Sequence, residues 1–209
     1  MAGLRALDAG ASTGGFTDCL LQRGVASVVA VDVGSGQLAW SLRNDPRVTV
    51  RERCNVRYLT PADVGGPVEL VVADVSFISL RLVAPALAGA AEPGADAVLL
   101  IKPQFEAGRA QVRRGGLVTD PAVHLSVLEE VTAALAGDGL APVAVMPSPL
   151  RGASGNIEFL GHFRVGAPAA PGLAPEALAA AVEEAWGRHL PPSTENQGHH
   201  LPPPTENHR

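Results

Sequence analysis

Short apolar runs alternate with segments whose apolar residues recur at helical spacing over the first 165 positions. Leu4 to Leu7, Val28 to Val33, Val48 to Val50, Leu70 to Ala73 and Ala97 to Ile101 are rich in Val, Ile and Leu, as buried strands are. Between them, Phe16 to Arg23, Gly36 to Arg43 and Ser79 to Ala90 are long enough for helices. Asp120 and Pro121 open a further helix, with an N-cap acid and a proline in the first turn. Val123, Val127, Val131 and Leu135 share its inner face, and it stops near Gly137. Val143 to Met146 and Asn156 to Val165 read as a closing antiparallel pair at the edge. The alternation predicts an α/β fold: a mostly parallel central sheet, helices on both faces and an antiparallel edge strand.

Composition changes after Gly166. Residues 1–166 read as one domain, 167–189 as a Pro/Ala linker with an Ala-rich helix, and 190–209 as a tail. The tail carries the near-repeat LPPSTEN and LPPPTEN, and such Pro-rich polar sequence predicts disorder. His199, His200 and His208 lie there, and no metal site is expected. Elsewhere, Cys19 and Cys54 form neither a disulfide framework nor a zinc pattern. No apolar run approaches the roughly 18 to 20 residues that span a bilayer. The opening MAGLRALDAG lacks a signal-peptide layout, so a cytoplasmic protein is expected. The net charge of −5 does not suit a general nucleic-acid binder, which needs a basic excess. Fifteen of the 16 basic residues are Arg, and Lys102 is the single Lys. Arg cannot replace a compact, titratable ammonium, which draws attention to Lys102.

The segment DAGASTGG, Asp8 to Gly15, joins the first strand to the first helix. Glycines at a strand's carboxyl end let backbone approach a ligand closely. The spacing is neither a Walker A loop nor GxGxxG. Asp32 ends the second strand, where an acid suits ribose hydroxyls. Loop and acid together point to an adenosyl ligand without a pyrophosphate, S-adenosylmethionine rather than NAD. Asp74 and Lys102 end the fourth and fifth runs, on the same rim. A Lys closing a buried strand needs a partner, and Asp74 is the natural one, for catalysis or as a structural ion pair. Glu158, in SGNIEF, reaches that rim if its strand inserts beside the fifth; otherwise it is an ordinary strand carboxylate.

LDAGASTGGFTDCLLQRG, VVAVDVGSGQLAWSLRNDPRV, DVSFISL, KPQFEAGR, GGLVTDPAVH and SPLRGASGNIEF stand in order through most of residues 4–165. Together they resemble the TlyA/hemolysin A family of FtsJ-like ribosomal RNA methyltransferases. The resemblance implies a Rossmann-like, S-adenosylmethionine-dependent methyltransferase fold and methyl transfer to the ribose 2′-hydroxyl of cytidine in ribosomal RNA. It implies that Asp74, Lys102 and Glu158 match the last three members of a Lys-Asp-Lys-Glu catalytic tetrad, with no metal. Gly10, Ser12, Thr13, Gly14, Gly15, Asp32 and Asn55 are the expected cofactor residues. Arg109, Arg113, Arg114 and Arg151 are the candidate RNA contacts, facing ribosomal RNA or ribosomal subunits. The tetrad's first Lys and the family's S4-like RNA-binding domain have no match here, so the expectation is an N-terminally truncated chain of weak activity. The alternatives are a cofactor-binding domain without full competence, a nicotinamide oxidoreductase and a cytolytic protein. The glycine spacing disfavours the oxidoreductase, and no basic amphipathic segment supports lysis.

Overall fold

In this computed structural model the described residues are 1–152, 154–166 and 172–189. The expected tail, with its three histidines, and positions 167–171 of the expected linker lie outside them. Seven strands, β1 (Arg5–Ala9), β2 (Ser27–Val31), β3 (Val48–Arg51), β4 (Val68–Ala73), β5 (Ala91–Ile101), β6 (Leu140–Pro147) and β7 (Phe159–Val165), form one sheet. Their order is β3-β2-β1-β4-β5-β7-β6. The first five are mutually parallel, and β7 runs antiparallel between β5 and β6. The expected antiparallel pair therefore closes the sheet, with its reversed member one place in from the edge.

Strand side chains alternate between the two faces, as a pleated strand requires. Leu7, Ala9, Val29, Val31, Val71, Ala73 and Leu99 join one apolar cluster, shared with α3 (Leu80–Gly89), α5 (Pro121–Gly137) and α6 (Pro175–His189). Ala6, Val28, Ala30, Leu70 and Val72 join the other, under α1 (Gly15–Gln22) and Leu42 of α2 (Trp40–Arg43). The Asp120 carboxylate caps α5 by accepting from the Ala122 N–H at 2.9 Å. From α6, Leu178, Val182 and Ala185 enter the first cluster. No helix among the described residues is long and apolar enough to cross a membrane.

Two expected elements shorten. The helix from Gly36 to Arg43 is a single turn, because Asp32 accepts from the Gly34 N–H at 2.7 Å and Gly36 takes a φ of 72°. The strand expected from Asn156 begins at Phe159, because the Asn156 side chain serves the neighbouring loop instead. It accepts from the Val118 N–H at 2.9 Å and donates to the Gly116 carbonyl at 2.8 Å.

His124 of α5 is fully buried beside Phe159 and Trp186. The Trp186 indole donates to its Nδ1 at 3.1 Å, which suits the neutral ring, and burial pushes its pKa down to about 4. A histidine depressed in the folded state binds more protons when unfolded, so stability is full above about pH 6.5 and falls as pH drops toward 4. We expect the stability difference between the protein and its His124→Phe variant to change by about 2 kcal/mol between pH 7 and pH 5. Urea unfolding midpoints at the two pH values check this, and parallel curves for both proteins count against it.

Candidate active site

The register aligns the strand ends that build the site. Ala9 pairs with Val31 and Ala73, and Ala73 pairs with Leu99 two residues before β5 ends. Chain order reverses between β1 and β4, and the loops leaving such neighbours diverge to leave a crevice. A cleft of about 290 Å³ lies there, lined by Gly10 and Ser12 after β1, Asp32 after β2, Asn55, and Asp74 to Ile78 after β4.

The glycine loop is shaped by contacts that exclude side chains. Gly10 has a φ of 84°, and a Cβ on it would overlap the Asp74 carbonyl oxygen. Gly14 has a φ of 104°, and a Cβ there would overlap Leu42. The Ser12 N–H donates to Asp32 at 2.8 Å, so the second-strand acid also holds the loop open. Beneath it, Asp8 is fully buried and accepts from the Thr17 hydroxyl at 2.6 Å, tying β1 to the first turn of α1. Burial pushes the Asp8 carboxyl up to about 6, against the Thr17 bonds, with repulsion from Asp74 and Asp32 adding to the rise. Asn55 caps a short turn, accepting from the Arg57 N–H at 3.0 Å, while its side chain lines the cleft. Of the expected cofactor residues, Gly10, Ser12, Asp32 and Asn55 line the cleft; Thr13, Gly14 and Gly15 continue the loop into α1 without lining it.

The rim beside the cleft carries the charged side chains. Lys102, with 11% of its side chain exposed, is ion-paired with Asp74 and donates to the Ser76 hydroxyl at 2.9 Å. Because β7 is antiparallel, its first residue, Phe159, pairs with Ile101, which sets Glu158 opposite Lys102. Glu158 is buried and accepts from the Gln104 amide at 2.8 Å. Burial raises its pKa, while the Gln104 bond and the Lys102 charge hold it down and Asp74 opposes them. Gly152 packs against this carboxylate so closely that a Cβ would overlap it. Asp74, Lys102 and Glu158 thus converge on one rim.

The candidate RNA arginines are all exposed. Arg113 and Arg151 line a second cavity of about 420 Å³ with Trp186, whereas Arg109 and Arg114 do not line it. Sequence reasoning missed several neighbours. Gln37 lines the cleft, and Ser76 and Gln104 hold Lys102 and Glu158. Phe77 is 91% exposed at the cleft with a φ of 64°, its ring 5.1 Å from that of Phe105. Arg51, Arg53 and Arg57 are exposed around Asn55. Their signal was the density of Arg between positions 43 and 57; Arg43 and Arg47 are neutralised by Glu52 and Asp45.

Residues 2–165, which include every residue of this rim, match the FtsJ-like methyltransferase family model. The chain belongs to the FtsJ-like methyltransferase family. It is 59% identical over 159 residues to the 16S/23S rRNA (cytidine-2′-O)-methyltransferase TlyA of Mycobacterium tuberculosis, covering 76% of this chain and 59% of TlyA. It is 42% identical to Hemolysin A of Brachyspira hyodysenteriae, covering 75% of this chain and 66% of that protein. The solved structure of a candidate hemolysin from Streptococcus thermophilus superposes with a TM-score of 0.85 at 44% identity, covering 89% of this chain and 67% of that one. The chain therefore spans about 59% of the length of the TlyA relative it matches.

The loop geometry of this FtsJ-like domain makes a direct prediction. Gly10→Ala adds the left-handed backbone penalty of about 1–2 kcal/mol to the collision with the Asp74 carbonyl. We expect its urea midpoint to fall by at least that equivalent, and a midpoint equal to the parent's would show that the loop can relax away from β4.

Proposed function

We propose that this chain transfers a methyl group from S-adenosylmethionine to the ribose 2′-hydroxyl of a cytidine in ribosomal RNA. The observation that carries the reading is the convergence of Asp74, Lys102 and Glu158 beside a cleft floored by glycine and edged by Asp32. The residues fit the cofactor. Gly10 lines the cleft with backbone alone, and the Asp32 carboxylate suits a pair of ribose hydroxyls. Val33, Val56 and Ile78 offer apolar walls to a purine, beside the Asn55 amide. When bound, S-adenosylmethionine supplies a sulfonium-activated methyl group.

The chain's own residues supply the rest. A ribose hydroxyl is a poor nucleophile, and an ammonium beside it favours the alkoxide left when the hydroxyl proton passes to solvent. Lys102, fixed by Asp74 and Ser76 at the cleft mouth, is that ammonium and orients the hydroxyl toward the cofactor. Glu158 places a second carboxyl group near it. Arg109, Arg113, Arg114 and Arg151 lie on loops leaving this rim, and Arg51, Arg53 and Arg57 flank Asn55. They offer local phosphate contacts that the net charge of −5 does not provide overall. Phe77 presents a bare aromatic face on which a base can stack. The relatives' names supply the cytidine and the ribosomal RNA, and since the chain spans 59% of TlyA, both belong to this proposal. The second reading, a cofactor-binding domain without full competence, is favoured by one observation: the net charge of −5 offers a polyanion little general attraction.

Two measurements separate them. Asp32→Ala should weaken S-adenosylhomocysteine binding by about 1.5–3 kcal/mol, as hydrogen bonds to a charged group are lost, read by calorimetry. Lys102→Met should leave that affinity within a few-fold and lower methyl incorporation into ribosomal RNA by about 10²–10⁴. Cofactor binding with no incorporation by the parent chain favours the second reading. No cofactor binding at all defeats both.

A further inference from the structure

We infer that Gln104 is a positioning residue whose amide favours the carboxylate form of Glu158 beside Lys102. Only the activity arm of the test below rests on the proposed methyl transfer. The Gln104 amide N–H donates to Glu158 Oε1 at 2.8 Å, while its own Oε1 is buried with no partner. An unsatisfied buried acceptor is costly, and such groups are scarce in folded proteins. The cost has a specific source. Turning the amide over would aim its oxygen at Glu158, where only a protonated carboxyl could donate to it. The N–H orientation present suits the carboxylate best, because an ionised acceptor makes the stronger hydrogen bond.

The surroundings leave both groups little freedom. Gly152 packs against the back of the Glu158 carboxylate, and a Cβ there would already overlap it. Gln104 sits in α4 (Pro103–Glu106), whose two ends are anchored. At one end Lys102 is held by Asp74 and Ser76; at the other Glu106 accepts from the Ser79 hydroxyl at 2.5 Å and the Leu80 N–H at 2.7 Å. The charged groups that face Glu158 are Lys102, which favours its ionisation, and Asp74, which opposes it. Burial tips a carboxyl toward the neutral acid, and a neutral Glu158 would leave Lys102 with Asp74 as its only anionic neighbour among these groups. Gln104 is the uncharged donor that opposes this tendency.

The test is a side-chain carboxyl titration of Glu158 by carbon NMR in the parent chain, in Gln104→Met and in Gln104→Glu. Methionine keeps the bulk and removes the donor, so the Glu158 midpoint should rise by about one pH unit. S-adenosylhomocysteine affinity should stay within twofold, since Gln104 does not line the cleft. Where methyl transfer is measurable, the acid limb of kcat should move to higher pH by the same amount with KM for the cofactor unchanged. An unaltered Glu158 midpoint in folded Gln104→Met overturns the inference. If that variant fails to fold, Gln104→Glu decides: its second carboxylate should raise the Glu158 midpoint, and parent-like titration overturns the inference. A parent chain with no methyl transfer defeats the proposed function and leaves the titration result standing.

Discussion

A charged amine at the end of a buried strand is the constraint around which the rest of the site is arranged. Isolated in a low-dielectric interior, an ammonium carries a desolvation cost that only an opposite charge and hydrogen bonds can offset. Lys102 follows Ile101, a fully buried residue of β5, and its side chain is nearly buried as well. Asp74 and Ser76, both on the loop after β4, meet it there. Each later polar residue of KPQFE then fixes another wall: Gln104 reaches Glu158, and Glu106 reaches the start of α3. Phe105 lies against Phe77. The loop from Asp74 to Ser79 is thereby pinned at both ends, and the strained φ of Phe77 is affordable because its neighbours are held.

Carboxylates are also concentrated beside the cleft, and the fold manages them differently. Asp8, Asp32 and Asp74 sit at the ends of three adjacent strands, and Asp8 feels the other two. Asp8 is withdrawn from solvent, and burial drives its carboxyl up although the hydrogen bonds from Thr17 hold against the rise. Asp32 instead accepts from the Ser12 and Gly34 N–H groups at the edge of the cleft. The same residue type thus serves as a buried strut in one place and as a cleft-lining group in the other, according to what donors surround it.

Much of the parallel sheet was legible because its strands are buried on both faces and read as unbroken Val, Ile and Leu runs. The strand ends that carry Asp32, Asp74 and Lys102 followed from the same pattern. Glu158 was legible as chemistry only through family resemblance, since nothing local distinguishes it from an edge carboxylate; its place depends on β7 inserting beside β5, a long-range choice. Gln104 was silent for a different reason. It lies in a four-residue helix with no periodicity to read, and its meaning depends on a buried oxygen whose lack of a partner is a property of three-dimensional packing. The shortened α2 shows the opposite failure, where Gly34 and Gly36 allowed turns that helix-length counting overlooked.

The reversed strand explains why this arrangement needs a glycine at position 152. A parallel strand beside β5 would deliver its last residue to the rim and send the chain on into a helix. An antiparallel one delivers its first residue, so the chain must arrive over the rim in a loop, and that loop crosses above the carboxylate it introduces. The Ser148 N–H to Glu158 carbonyl bond of 2.8 Å closes this loop at its base, and the Gly152 N–H to Asn156 carbonyl bond of 3.0 Å closes it nearer the tip. A loop closed twice cannot swing away, so the residue above Glu158 must itself be small. Asn156 secures the same loop to Gly116 and Val118, linking the carboxylate's support to the segment that carries Arg113 and Arg114. The position of Glu158 and the presentation of those arginines are consequently one mechanical unit, and a change that loosens the loop disturbs both.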